Sequence, residues 1–158
     1  MPRLRKNFWK LLLLFVCISF PLMEAQAQDE AFLQYRQKIM KSHGASMGAI
    51  GDILKNKLPY KKHIAVHAKK LQEESTLIAD AFKKEITAGK TDAKPEIWKD
   101  WGKFTAAAEK LNQESAKLDR VAQSADMAAI GAQVKEVGKS CGGCHKPFRK
   151  PKEKRFKR

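Results

Sequence analysis

Near the C-terminal end of the sequence stand two cysteines and a histidine, Cys141-Gly142-Gly143-Cys144-His145. Thiols spaced by two residues, with an imidazole directly after them, have the pattern of covalent c-type haem attachment. Each sulfur adds across one vinyl group of the porphyrin, and the imidazole of His145 binds the iron. The two-residue spacer brings both sulfurs to one edge of the ring, and glycines at 142 and 143 let the backbone lie close to it. A structural disulfide and a thioredoxin-like redox pair use similar spacing. The redox pair belongs with alternating strand and helix patterning, which this sequence does not contain. One covalently attached haem c, held by Cys141 and Cys144, is therefore expected.

Such a group needs rigid elements to hold it. The chain has 158 residues, the size of one domain, and is 43% hydrophobic with only 9 Gly and 6 Pro. That supplies enough apolar side chain for a core and too little Gly and Pro for a collagen-like, low-complexity or disordered chain. Apolar or small residues recur at Leu33, Met40, Met47, Ile50 and Leu54, then at Ile64, Ala68, Leu71, Ser75, Ile78 and Phe82. Two further series run through Trp101, Ala108, Leu111, Ser115 and Leu118, and through Ile130, Val134, Val137, Cys141 and Cys144. This is helical spacing, and no stretch alternates with period two. Asp29 reads as an N-cap, while Pro59 and Pro95 suit first helical turns, where a missing N–H costs nothing. Glu96 favours the same end electrostatically. Breaks are expected at residues 55–58, 87–94 and 122–125. The expected fold is all-α, an antiparallel four-helix bundle with the haem near its C-terminus.

The first 27 residues read as an addition to this domain. Arg3, Arg5, Lys6 and Lys10 form a cationic start, residues 11–20 an apolar run, and Ala25-Gln26-Ala27 a small-residue cleavage motif. A secretory signal cut before Gln28 is expected. An uncleaved anchor is the alternative, but the run is shorter than the roughly 20 apolar residues of a spanning helix. Cys17 lies within it behind Phe15 and Val16, which are too large for a lipoprotein motif. The resulting division is a leader over 1–27, a bundle over 28–150 and a basic tail over 151–158. Export to an oxidising compartment means that Cys141 and Cys144 are cross-linked or otherwise occupied. The whole sequence carries +15, and residues 28–158 keep +12, of which +7 falls in residues 146–158. Such a tail is either a solvated extension or a docking element for an acidic redox partner or an anionic membrane surface. Nucleic acid is not an expected partner, because export places the protein away from it.

At three places the sequence resembles the cytochrome c′ and cytochrome c-556 family. Tyr35-Arg36-Gln37, Lys94-Pro95-Glu96-Ile97-Trp98 and residues 141–149 stand in the order and position seen there. The resemblance covers residues 29–149. It implies a periplasmic four-helix bundle with His145 as proximal iron ligand and Cys141 and Cys144 as thioether anchors. It also implies that Arg149, one turn beyond His145, lies beside the proximal face. Arg36 and Gln37 are implied to approach the haem propionates, a role their polar heads suit. A homodimer is a further expected assembly. Pro147 departs from the family pattern, and its missing N–H predicts a kink of the last turn at Gly143.

The resemblance also implies two functional branches, divided by the side chain opposite His145. An apolar residue leaves the iron five-coordinate and open to gases, whereas a methionine closes the sixth position and makes a low-spin electron carrier. Here the position is Met40. A sulfur–imidazole pair raises the haem potential and suits outer-sphere electron transfer. The expected function is thus a periplasmic carrier of single electrons with iron between His145 and Met40. The alternative is a five-coordinate protein binding nitric oxide or carbon monoxide at an open distal site. An enzyme such as a peroxidase is not expected, since only His43 offers a distal acid–base group. Met40 also has a plain reading as core packing. Met47, two turns on, reads the same way, and His43, three residues from Met40, reaches the iron only from a rotated helix. His63 and His67 have the i, i+4 spacing of a metal pair, but Lys flanks them and no third ligand is evident. Gly44, Gly48 and Gly51 form a stripe that admits close approach by haem or by another helix.

Overall fold

Apolar spacing and local caps divide the chain into α1 (Arg5–Lys55), α2 (Lys61–Ser75), α3 (Ile78–Phe82), α4 (Glu96–Lys99), α5 (Trp101–Ala122) and α6 (Met127–Phe148), followed by a 3₁₀ turn at Lys152–Lys154. This computed structural model describes residues 5–124 and 126–156, with side chains from Glu24 onward. The side chains of the expected leader before Glu24, Cys17 among them, lie outside the described residues, as do Ala125, Lys157 and Arg158. Helices α1, α2 with its continuation α3, α5 and α6 form an antiparallel four-helix bundle. α5 packs along both α2 and α6, and α1 packs along α2, but α1 and α6 scarcely touch.

Much of the apolar series is buried, but Met40, Met47, Leu54, Trp101, Val134, Cys141 and Cys144 are only partly so, and Ile39, Ile53, Ile97, Phe104 and Phe148 complete the core. Ile50, Ile64, Leu71, Leu118, Ile130 and Val137 are almost fully enclosed, each worth roughly 1.5–3 kcal/mol of transfer from water. Ser75 and Ser115 are buried at the same spacing. Ser75 is accommodated because its hydroxyl donates to the Gln72 carbonyl at 2.7 Å and lies 3.2 Å from Asn112 Oδ1.

Several boundaries differ from expectation, each for a local reason. Asp29 does not cap a helix; it lies inside α1 and forms a surface ion pair with Lys84. α1 ends in a Schellman turn, in which Lys57 adopts φ 51° and the Leu58 N–H donates to the Ile53 carbonyl at 3.1 Å. That turn consumes the chain up to Pro59, so Tyr60 rather than Pro59 stands at the start of α2. The second apolar series crosses a turn at Thr76-Leu77, which separates α2 from α3. The helix expected to start at Pro95 is interrupted at Asp100, which ends α4 and accepts the Lys103 N–H at 3.4 Å to start α5. Pro95 precedes α4 as its N-cap. Asp126 caps α6 by accepting from Ala128 and Ala129 at 2.9 and 3.1 Å. α6 runs through Pro147 to Phe148 as one helix, so the expected kink at Gly143 does not break it.

Candidate haem site

Cys141, Cys144 and His145 fall in the last two turns of α6, where spacings of three and four residues share one helix face. They line a cavity of about 510 Å³ that also takes in Arg36, Gln37, Met40, His43, Gly44 and Met47 from α1. The cavity thus lies where α1 and α6 stand apart. Phe82, Phe104 and Phe148 close one wall, with Phe104 5.2 Å from Phe82 and edge-on to Phe148 at 5.4 Å between ring centroids. A second hollow of about 460 Å³, bordered by Ser75, Thr105 and Glu109, holds neither a thiol nor an imidazole.

Both thiols are partly buried and are not joined to each other. Burial pushes the Cys141 thiol above its ordinary value, and burial followed by the neighbouring Cys141 pushes Cys144 up to about 11. Both therefore carry their protons at neutral pH. His145 moves the other way: burial lowers it, and the charges of Arg149, Arg155 and His43 add to that. A neutral imidazole with a lone pair to share results.

Arg36 is 3% exposed. Its Nε donates to the Ala81 carbonyl at 2.7 Å and its Nη2 to the Lys84 carbonyl. The guanidinium lies 4.9 Å from the centroid of Phe82 and 5.5 Å from that of Trp98. Burial pulls it below its ordinary value, with Asp29 opposing, yet it stays charged. Its Nη1 is buried without a partner. Gln37 donates to the Lys90 carbonyl at 2.9 Å. Both α1 side chains therefore fasten the segment 81–90 while bordering the cavity.

Arg149 closes the far end of α6. Its N–H donates to the His145 carbonyl at 3.0 Å, and its Nη2 lies 3.7 Å from Asp92 Oδ2. An antiparallel bridge joins Ala93 to Arg149, flanked by Lys94 N–H to the Phe148 carbonyl at 3.0 Å and Lys150 N–H to the Asp92 carbonyl at 2.8 Å. Thr91, Asp92 and Ala93 thereby become cavity wall, which no local pattern in the sequence signals. His43 is buried, with Nδ1 2.9 Å from the Ile39 carbonyl and Nε2 without a partner. His63 and His67 stand on α2 away from the cavity; His63 stacks on Tyr60 at 5.1 Å, and among the described residues no third ligand joins them.

A haem c fits this arrangement. The two protonated thiols and the neutral imidazole lie on one wall, the rest of the lining is largely apolar, and two buried nitrogens on α1 lack partners. The profile of the cytochrome c′ family matches residues 31–149. A cytochrome c′ from Rhodospirillum rubrum is 38% identical over 79% of this chain and 86% of its own length. A cytochrome c-556 from Agrobacterium tumefaciens is 32% identical over 75% of this chain and 94% of its own. Among solved structures, the nitric oxide complex of a variant cytochrome c prime from Alcaligenes xylosoxidans superposes with a TM-score of 0.70 at 30% identity, covering 78% of this chain and 97% of that one. A carbon monoxide-bound variant of the same protein gives the same values. With an apolar cavity set between thiols, imidazole and guanidinium, and a profile match over most of its length, the chain belongs to the cytochrome c′ family, whose members carry one covalently attached haem c.

Proposed function

We propose that Cys141 and Cys144 anchor the haem, that His145 takes its iron from the α6 side, and that the α1-facing side binds a diatomic gas, nitric oxide or carbon monoxide. The observation that carries this reading is the gap between α1 and α6, where Met40, Gly44 and Met47 give a mostly apolar distal wall. The nitric oxide and carbon monoxide complexes of the Alcaligenes xylosoxidans relative support it. A bound haem would supply an iron able to take both a protein imidazole and a diatomic ligand. The protein's part is positional. The thiols are protonated, as addition to a vinyl group requires, and burial keeps the His145 lone pair free. Arg36 Nη1 is the donor for a propionate, already desolvated and held by two main-chain carbonyls. The Phe82, Phe104 and Phe148 rings exclude water. The reading places the mature chain, residues 28–158, in the periplasm.

A second reading, the low-spin electron carrier, is favoured by one observation: Met40 is only partly buried and faces the same cavity. The ferrous spectrum separates the two. Gas binding predicts a high-spin ferrous protein that takes up carbon monoxide without a slow phase. A ferrous protein that is low-spin, and turns high-spin only in Met40→Leu, would overturn the gas reading in favour of a His145/Met40 carrier. Leu keeps about the volume of Met, so the bundle persists in that variant.

A further inference from the structure

One buried side chain in the cavity is arranged as a ligand and has nothing to bind within the protein. His43 is 6% exposed and borders the cavity that holds Cys141, Cys144 and His145. Its Nδ1 lies 2.9 Å from the carbonyl of Ile39. A carbonyl only accepts, so Nδ1 carries the hydrogen, and the tautomer this fixes has its lone pair at Nε2. That Nε2 is buried and has no partner. Buried polar atoms with a purely structural role are almost always satisfied. A ring whose Nδ1–H is held by a main-chain carbonyl while Nε2 stays free has instead the form of a metal-ligating histidine, the carbonyl fixing tautomer and orientation. His43 and His145 border the same cavity, His43 from α1 and His145 from α6.

We propose that His43 is a second protein ligand of the haem iron: in the ferric protein its Nε2 takes the α1-facing axial position that a gas takes in the ferrous protein. This rests on the haem reading above and adds what holds the distal face before a gas arrives. Ferric iron, the harder acid, prefers an imidazole nitrogen to the neutral thioether of Met40. Reduction removes a positive charge from the iron, weakening its hold on a nitrogen donor while favouring carbon monoxide and nitric oxide, which accept electron density back. A one-electron reductant, dithionite in the test below, supplies the electron that makes the iron ferrous; the exchange on ferrous iron then breaks one iron–nitrogen bond and forms one iron–gas bond.

The test is the ferric holoprotein, read by electron paramagnetic resonance and near-infrared magnetic circular dichroism, which separate bis-imidazole, imidazole–thioether and five-coordinate iron. A low-spin bis-imidazole signature is expected in the wild type. Because His63 and His67 lie outside the cavity, a second imidazole identifies His43 without any substitution. His43→Leu should turn the ferric iron high-spin, and added imidazole should restore the low-spin spectrum. A wild-type ferric protein that is five-coordinate or imidazole–thioether ligated would overturn the proposal. Haem retention after acidic organic extraction and carbon monoxide uptake by the dithionite-reduced ferrous protein read the underlying assignment separately. Loss of haem on extraction overturns both readings, whereas retained haem without a second imidazole overturns the role of His43 alone.

Discussion

Glu114 sits 6% exposed on α5 as a carboxylate, accepting from Lys110 at 2.8 Å, Lys117 at 2.9 Å and Gln133 of α6 at 2.7 Å. These donors, the two lysines first, hold its carboxyl down to about 2 against an ordinary 4.5. A carboxyl depressed on folding stabilises fully above its unfolded value and loses that contribution as pH falls through its folded one. The thermal midpoint of the holoprotein should therefore drop between about pH 4.5 and 2. Glu114→Gln should start lower at neutral pH and lose less across that interval, measured by circular dichroism melts. Neither Glu114 nor the clamp made by Arg36 was visible in the sequence as a bundle tie. Glu114 falls between Leu111 and Ser115 of the apolar series, and Arg36 grips carbonyls 45 and 48 residues away, which side-chain identities do not encode. Cys141, Cys144 and His145 were legible as a spacing motif, Met40 through the family resemblance, and His43 and Met47 by helical spacing from Met40; the structure brings all six to one cavity. That α1 would leave His43 Nε2 unsatisfied was not legible, since it depends on the ring's orientation.

At the scale of elements, backbone conformation decides two opposite outcomes. Gly89 has φ 79°, and a Cβ there would lie 3.1 Å from Leu33 Cδ1. Gly89→Ala should cost about 1–2 kcal/mol through the left-handed backbone alone. Lys57 occupies the left-handed position of the α1 Schellman turn with a side chain that position disfavours. Lys57→Gly should thus stabilise by about 1 kcal/mol, and denaturant unfolding of the two variants should shift in opposite directions. The same local detail explains where helix boundaries escaped the sequence pattern. Apolar spacing continues without a phase change across Thr76-Leu77, and Pro95 reads as the first turn of the third helix with no break signalled at Asp100, so each pair of helices reads as one. The breaks come from a turn and from a cap, which carry no apolar signal.

For the molecule as a whole, charge and chain ends set the expectations. Of the +12 on residues 28–158, +7 belongs to residues 146–158. Part of that tail is not free: Lys150 Nζ donates to the Thr91 carbonyl at 2.8 Å, Arg155 Nε to the Lys150 carbonyl at 2.9 Å, and the Phe156 N–H to Asp92 Oδ1 at 3.1 Å. The proposed leader cleavage predicts a protein with the mass of residues 28–158 plus one haem, and Cys141→Ser with Cys144→Ser should remove the haem increment; intact mass spectrometry checks both. The ties between residues 91–94 and 148–156 have a consequence of their own. They join points 59 residues apart, so they close the second half of the chain into a ring around α4, α5 and α6, with its clasp beside the attachment motif. Thr91 and Phe148 are buried, and Phe148 packs edge-on against Phe104, so the clasp combines core packing with main-chain hydrogen bonds. Since Thr91, Asp92, Ala93, Phe148 and Arg149 are also cavity wall, that side of the chamber is a splice of two segments far apart in sequence, and its shape depends on both ends of the ring staying fastened.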